Sequence, residues 1–182
     1  MRFLPTDIAD VIVIEPKVFR DDRGFFLETW HEDKFRAAGL GATFVQDNHS
    51  GSRASVLRGL HYQLNRPQGK LVRVVTGCVF DVAVDLRRSS RTFGRWVAAE
   101  LSESNHRMLW VPPGFAHGFY VTQGPAVFLY KCTEVYQPED ERCIRWDDPE
   151  LAVSWPIPPG SMPLVGPKDR AGVSFRSAEI YP

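Results

Sequence analysis

Two of the five histidines lie in segments whose residue types suit proton transfer or metal binding. His61 belongs to a strand-like segment that contains Gly59, and a glycine inside a strand often marks a bulge or a close backbone approach. His117 follows the rigid turn 112–114, of sequence Pro-Pro-Gly, and begins the next strand-like segment. An imidazole titrates near neutral pH and also ligates metals. Both histidines are therefore candidates for a catalytic or metal site, and each is equally consistent with a structural role.

Acidic and phenolic side chains alternate with apolar ones in two other strand-like segments. In Val79–Leu86, Asp81 and Asp85 share one face of the predicted strand and the apolar residues share the other. In Val127–Val135, Tyr130 shares a face with apolar neighbours. Two interpretations stay open, since the acidic face either meets water or points into a cavity lined by carboxylates and a phenol. The pattern supports both equally.

The segment Pro112–His117 has the pattern Pro-x-Gly-x-x-His, which resembles the second signature of the cupins. In metal-binding cupins, the first signature supplies two histidines, as His-x-His, together with a carboxylate. The corresponding segment here is His61–Gln63, with no second histidine, and Lys70 follows where the carboxylate is expected. A lysine repels a cation, and two histidine nitrogens by themselves are too few ligands to hold a first-row metal well. The sequence therefore predicts a cupin-like site with no metal and no cofactor.

The elements that position these residues are predicted to be nearly all strands. The predicted strands are Val11–Ile14, Phe25–Trp30, Val56–Gln63, Leu71–Val75, Val79–Leu86, Arg95–Leu101, Met108–Val111, Gly118–Val121 and Val127–Val135. One helix is predicted from Glu32 to about Ala38, before Gly39, and the proline-rich segment Pro156–Pro167 is predicted to be an ordered loop. This pattern predicts an all-β fold, a cupin-type jelly-roll β-sandwich with a few short helices, in which residues 1–182 form one domain.

The composition disfavours several classes of protein. The 182 residues include 22 basic and 22 acidic side chains, whereas proteins that bind duplex nucleic acid normally carry a net basic face. No apolar run approaches the roughly 18 residues of a membrane span. The three cysteines, Cys78, Cys132 and Cys143, are odd in number and far apart, which is typical of a reduced protein without disulfides. The N-terminal segment lacks an apolar signal region, so a cytoplasmic location is expected.

Eight longer motifs follow one another along nearly the whole chain. They are Asp21–Glu28, Gln46–Ser50, Leu57–Gln63, Gln68–Arg73, Val79–Arg87, Pro113–Phe119, Phe128–Lys131 and Lys168–Arg170. In this order they resemble the dTDP-4-dehydrorhamnose 3,5-epimerases. The resemblance implies conversion of dTDP-4-dehydro-6-deoxy-D-glucose to dTDP-4-dehydro-L-rhamnose, by inversion at C3 and C5 and without a redox cofactor.

The implied reaction needs a base, an acid and a group that stabilises an enolate. C3 and C5 both adjoin the C4 ketone, so removal of a proton from either carbon places negative charge on O4. By resemblance, His61 is the base. Asp169 matches the carboxylate that orients this imidazole, and Asp81 is an alternative that the sequence does not separate from it.

The resemblance assigns the remaining catalytic roles to a phenol and an ammonium group. Tyr130 matches the acid that delivers a proton from the opposite face of the sugar. Lys70 matches the lysine near the keto oxygen, where a positive charge favours the enolate. His117 matches a histidine of the substrate pocket.

The nucleotide part of the substrate requires its own contacts. The substrate-binding residues implied by resemblance are Arg23, Glu28, Gln46, Asn48, Arg58, Lys70, His117, Tyr136, Glu141 and Lys168. Guanidinium forks suit the oxygens of a diphosphate, and the ring of Tyr136 is expected to stack on the thymine. Arg58 and His61 are three residues apart, so a regular strand would place them on opposite faces. We expect a bulge at Gly59 to bring both into one pocket.

The resemblance also implies a homodimer with exchanged strands, in which Arg23 and Glu28 reach the neighbouring subunit's site. Three alternatives stay open. A related enzyme would invert only C3 or only C5, and a non-catalytic cupin would bind a sugar nucleotide without needing the acid–base set. A metal-dependent cupin oxygenase or isomerase is disfavoured by the missing second histidine.

Overall fold

Extended backbone dominates the chain: the computed structural model describes residues 1–182 as twelve β-strands with two short α-helices and one 3-10 turn. The strands are β1 (Arg2–Pro5), β2 (Ile12–Glu15), β3 (Val18–Asp21), β4 (Gly24–Leu27), β5 (Gln46–Ser52), β6 (Val56–Gln63), β7 (Lys70–Asp85), β8 (Trp96–Ser102), β9 (Met108–Val111), β10 (Phe115–Cys132), β11 (Glu141–Cys143) and β12 (Leu164–Val165). The helices are α1 (Glu32–Ala37) and α2 (Pro167–Arg170), and the 3-10 turn is Phe175–Ser177. Neither α-helix has the length or apolar character needed to cross a membrane.

Strand pairing builds two layers that share the long strands β7 and β10. In the first layer, the first half of β7 pairs with β9 and with the second half of β10, while β5 extends one edge and β2 and β1 extend the other. In the second layer, the second half of β7 pairs with β8 and with the first half of β10, which is followed by β6, β11 and β12. The predicted all-β sandwich is confirmed.

The long strands correct two of the predicted boundaries. Leu71–Val75 and Val79–Leu86 are parts of the single strand β7, which passes through Gly77 without ending. Gly77 has φ +78°, and a Cβ there would lie 2.5 Å from the carbonyl oxygen of Gln123. The glycine therefore lets β7 bend from one layer to the other while it stays paired with β10. Likewise Gly118–Val121 and most of Val127–Val135 belong to β10, which ends at Cys132.

Other predicted boundaries were wrong where the apolar signal is weak. β5 was not predicted, because all seven of its residues are polar or glycine and the prediction relied on apolar alternation. The short strands β1, β3 and β11 were also missed, and the predicted Phe25–Trp30 ends at Leu27. The loop predicted for Pro156–Pro167 contains β12, which pairs in parallel with the start of β6. The predicted helix is confirmed as α1.

Buried apolar clusters show which face of each strand points inward. A cluster of 15 buried residues, with Val79, Ala83 and Phe119 among them, lies between the two layers. A second cluster, which contains Val82 and Val84, is covered by residues of the C-terminal segment such as Phe175. The apolar face of β7 is therefore covered by the C-terminal segment, and the face that carries its acidic residues points into the sandwich.

Candidate active site

A cavity of about 530 Å³ opens between the two layers, a volume suited to a small-molecule ligand. Eleven of the thirteen predicted site residues line this cavity. These are Gln46, Asn48, Arg58, His61, Lys70, His117, Tyr130, Tyr136, Glu141, Lys168 and Asp169. They come from six different elements and from the loop after β10, so only the assembled sandwich brings them together.

A β-bulge places Arg58 and His61 in the same cavity. On β10, His117 pairs with His61 and Phe119 pairs with Arg58, so two residues of β6 stand opposite one residue of β10. Gly59 occupies the bulge with φ +127°, and a Cβ there would lie 2.6 Å from the Cα of Gly118. Glycine is therefore required at this position. The expected bulge is confirmed, and Arg58 donates hydrogen bonds from the cavity wall to Ser52 and to the carbonyl of Gly51.

Asp169 is the carboxylate that contacts His61. Its Oδ1 lies 3.0 Å from Nε2 of His61, although the imidazole N–H is not aligned for a hydrogen bond. The backbone N–H of Gly59 donates to Oδ1 at 2.8 Å and that of Gly166 donates to Oδ2 at 3.1 Å, which fixes the carboxylate. Burial raises the pKa of Asp169, but His61 and the two backbone donors outweigh burial, and the pKa falls below its usual value. Asp169 is therefore ionised beside the imidazole.

Asp81 forms a separate pair with His117. The Nε2 of His117 lies 2.9 and 3.1 Å from the two carboxylate oxygens, and both residues are buried. Burial raises the pKa of Asp81 above its usual value, against the opposing effects of His117 and Lys70. Asp85 shares the same inward face, but its carboxylate binds Arg87, Ser90 and Thr92 at the end of β7 and does not line the cavity. The structure thus gives each of the two cavity histidines its own carboxylate.

Lys70 presents an ammonium group with no partner. It begins β7 and lines the cavity, and no hydrogen bond or ion pair joins it to another side chain. Burial lowers the pKa of Lys70, and the more distant Cys132, Glu141 and Asp81 offset this only in part. Lys70 is partly buried, and a cation in such a place without a counter-ion gains most when negative charge develops next to it.

Tyr130 enters the cavity from the layer opposite His61. The second half of β10 carries Tyr130 in the first layer, whereas β6 carries His61 in the second. The hydroxyl of Tyr130 makes no hydrogen bond within the protein, and burial raises the pKa of this phenol. The side chain is therefore protonated at neutral pH and free to donate.

A network of polar side chains forms the rim of the cavity. Lys168 donates to Glu141 at 2.6 Å and to the hydroxyl of Tyr136 at 3.2 Å, and this hydroxyl donates to Glu141 at 3.0 Å. Burial raises the pKa of Glu141, but Lys168 and Tyr136 outweigh burial and lower it. Gln46 accepts from the backbone N–H of Tyr136 at 2.8 Å and donates to Asn48 at 3.0 Å. Tyr136 is 40 % exposed, and Nζ of Lys168 lies 5.9 Å from the centroid of its ring.

Two predicted residues lie outside this cavity. Arg23 is highly exposed and pairs with Asp21 within the hairpin of β3 and β4, which forms a sheet of its own. Glu28 follows this hairpin and pairs with Lys34 at 2.6 Å. Neither residue contributes to the site of its own chain.

The structure adds residues that the sequence analysis missed. Phe119 and Phe128 stack with ring centroids 4.5 Å apart and line the cavity with apolar surface. Phe128 lies two residues before Tyr130 and Phe119 two residues after His117, and this spacing could have indicated the role. Ser50, Gln63 and Gln68 also line the cavity. Cys143 is the third member of a potential metal-binding group with His61 and Asp169.

The arrangement supplies the three groups that enolate chemistry needs. A histidine–carboxylate pair faces a protonated phenol across the cavity, and an unpartnered ammonium group lies in the same space. A base, an acid and an electrostatic stabiliser are thus preorganised on strands.

Known proteins share both the sequence and the fold of this chain. Residues 5–177 match the family described as dTDP-4-dehydrorhamnose 3,5-epimerase. The enzyme of that name from Pseudomonas aeruginosa is 56% identical over 176 residues, which cover 96% of each chain.

Solved structures agree with this match. The 3,5-epimerase RmlC from Legionella pneumophila, solved in complex with dTDP-4-keto-L-rhamnose, is 47% identical with a TM-score of 0.94 and covers 98% of this chain and 94% of its own. ChmJ, a 3'-monoepimerase from Streptomyces bikiniensis in complex with dTDP-quinovose, is 30% identical with a TM-score of 0.88 and covers 96% of this chain and 88% of its own. The predicted cupin-like sandwich is confirmed, and the chain belongs to the dTDP-4-dehydrorhamnose 3,5-epimerase family.

Proposed function

We propose that the chain inverts C3 and C5 of dTDP-4-dehydro-6-deoxy-D-glucose to give dTDP-4-dehydro-L-rhamnose. The observation that carries this proposal is the His61–Asp169 pair facing Tyr130 across one cavity, with the ammonium group of Lys70 in the same cavity. Family membership supports the same reaction.

Proton removal is the first step at each carbon. His61 takes the proton from C3 or C5, and the electrons of the broken C–H bond move through C4 to O4. Asp169 stabilises the resulting imidazolium, because its carboxylate lies 3.0 Å away and is ionised. Lys70 stabilises the enolate oxygen, and this attraction is strongest when the negative charge is present, so it favours the transition state over the bound ketone.

Inversion requires that the returning proton arrive from the other face. The hydroxyl of Tyr130 protonates the enolate carbon and is left as a phenolate. The imidazolium and the phenolate then return to their starting states by proton exchange with solvent. The same two groups act again at the second carbon.

Proton NMR in heavy water tests the overall reaction. Incubation with dTDP-4-dehydro-6-deoxy-D-glucose should replace the protons at C3 and C5 with deuterium and yield the L-rhamno product. If deuterium enters neither carbon, the chain would be a binding protein and not an enzyme. A second candidate, inversion at C3 alone, is favoured by the likeness to the 3'-monoepimerase ChmJ and would deuterate only C3.

Residues at the cavity rim bind the nucleotide in this proposal. Arg58 and Lys168 provide positive charge for the diphosphate, and Gln46 and Asn48 provide amides for the thymine or sugar hydroxyls. The exposed ring of Tyr136 stacks on the thymine.

Replacing Tyr136 with alanine should raise KM more than it lowers kcat. Base stacking on an aromatic side chain is worth about 1–3 kcal/mol, or roughly 5–150-fold in KM. Stacking acts equally on bound substrate and transition state, so kcat should change little. Steady-state kinetics check this, with Tyr136→Phe as the control that keeps the ring and loses the contacts of the hydroxyl. A collapse of kcat at unchanged KM would instead place Tyr136 in the chemistry.

Exhaustive chelation should leave the epimerase rate unchanged. Gln63 and Lys70 stand where a metal-binding cupin has ligands, and the proposed steps use only side chains of the chain itself. The measurement is the rate of deuterium incorporation before and after treatment with a strong chelator. A large loss of rate that zinc, iron or manganese restores would contradict this prediction.

We further propose that residues 1–182 form one domain, which acts as a cytoplasmic homodimer with exchanged strands. The hairpin of β3 and β4 supports the exchange, because Phe19, Phe25 and Phe26 on it are all more than half exposed. A partner would cover these rings, and it would receive Arg23 and Glu28 in its own cavity. The free cysteines are consistent with a reducing compartment.

A further inference from the structure

We propose that His61, Cys143 and Asp169 form an inhibitory binding site for a thiophilic divalent cation such as Zn²⁺. Each residue offers one ligand atom, and these atoms lie within 4.8 Å of one another. In a tetrahedral zinc site, such nitrogen, sulfur and oxygen ligands lie roughly 3.4–3.6 Å apart. Small side-chain adjustments would therefore suffice to coordinate the cation.

Strand pairing brings the imidazole and the thiol together. Cys143 on β11 stands directly opposite His61 on β6. The neighbouring residues Leu60 and Ile144 exchange both of their backbone hydrogen bonds, at 3.0 Å each, so His61 and Cys143 form the non-hydrogen-bonded pair that follows. Side chains approach most closely in such pairs. Asp169 is held in place separately by backbone donors, so neither strand has to move for the three groups to meet.

A second observation also points to a ligand. The Nε2 of His61 is a buried atom with no hydrogen-bond partner, although Oδ1 of Asp169 lies 3.0 Å from it. Imidazole, thiolate and carboxylate together match the ligands of zinc rather than the all-oxygen sets of magnesium or calcium. The three residues leave a fourth coordination position for water, and binding would release the thiol proton of Cys143 to solvent.

Inhibition follows from the identity of two of the ligands. A cation held by His61 and Asp169 removes the base and its orienting carboxylate from the reaction. This consequence rests on the proposed function, whereas the binding of the cation does not. Cys143 has no part in the proposed chemistry, so its replacement should preserve the rate in the absence of metal.

Cobalt titration tests the site, because Co²⁺ replaces Zn²⁺ and gives a near-ultraviolet charge-transfer band when a thiolate is bound. We expect this band in the unmodified chain and in Cys78→Ala, which removes a buried thiol elsewhere, but not in Cys143→Ser or Cys143→Ala. Zn²⁺ should inhibit the unmodified enzyme. Loss of an outer-shell partner typically weakens metal binding about 10–100-fold, so Cys143→Ser should raise the half-inhibiting Zn²⁺ concentration at least about tenfold.

Two results would overturn the proposal: no charge-transfer band in the unmodified chain, or equal zinc inhibition of the unmodified enzyme and Cys143→Ser. The charge-transfer band is measured on the unmodified chain, so this test remains valid even if a substitution prevents folding. A Cys143-dependent band without inhibition would support the metal site and would count against His61 as the base. The failure of the metal site and that of the proposed function are thus distinguishable.

Discussion

Replacing His61 with asparagine should stop solvent deuterium from entering the sugar at both C3 and C5. Asparagine keeps a polar side chain beside Asp169 but has no nitrogen that accepts a proton at working pH. Loss of a general base typically slows the reaction by roughly 10²–10⁴-fold. Exchange at both carbons should fall together, because a single imidazole serves both in the proposed mechanism. Proton NMR in heavy water follows the two positions separately.

A matched control is available for this substitution. His49 is exposed on β5 and does not line the cavity. The His49→Asn variant should therefore exchange the protons at both carbons as fast as the unmodified enzyme does. Unchanged labelling at C3 or C5 in His61→Asn would show that another base serves that carbon. His117 would then be the first alternative, since it lines the same cavity and has its own buried carboxylate.

Replacing Tyr130 with phenylalanine should leave exchange intact but abolish most of the inverted product. His61 would still remove a proton and return a deuteron on its own face, so the labelled sugar would retain its configuration. The substitution removes only a hydroxyl that makes no hydrogen bond within the protein, and we therefore expect little loss of folding stability. NMR coupling constants of the labelled sugar distinguish retention from inversion.

Tyr120→Phe provides the comparison for this experiment. Tyr120 is buried on the same strand but does not line the cavity, so its variant should invert both centres normally. Inversion at the normal rate in Tyr130→Phe would mean that water or another residue supplies the proton. Loss of exchange as well as inversion would mean that Tyr130 is needed to form the enolate, and the two-faced mechanism would be wrong.

The sequence was most informative where a local pattern carries the structural signal. Strand-favouring residue types correctly predicted the strand at Val56–Gln63, and alternation along Val79–Leu86 placed Asp81 on a separate face from Val82 and Val84. The bulge was predicted from Gly59 together with the resemblance, which places Arg58 and His61 in one pocket although a regular strand would separate them. The family motifs likewise lie within short contiguous segments.

Polar strands and short edge strands were not predictable in this way. Every residue of β5 is polar or glycine, and the strand exists because its backbone pairs with β10. Backbone hydrogen bonds are chemically the same for nearly every residue type. A strand without an apolar face is therefore difficult to recognise from the sequence. Gln46 and Asn48 are polar because their side of this strand lines the cavity.

Only the tertiary structure shows which carboxylate lies beside which histidine. The resemblance assigned Asp169 to His61, but the residues by themselves did not separate Asp169 from the alternative, Asp81. The fold settles the choice, because the bulge at Gly59 donates its N–H to Asp169, whereas the register of β7 against β10 brings Asp81 to His117.

Only the tertiary structure shows where Arg23 and Glu28 lie. Their motif is as recognisable as the others, yet Arg23 lies in a hairpin that forms a separate sheet, Glu28 follows that hairpin, and neither lines its own chain's cavity. Residue types and local periodicity determine what chemistry a segment can perform and which of its faces is buried. Which distant segments meet depends on the pairing and packing of the whole sandwich, because those contacts are selected by the total free energy of the fold and not by any one segment.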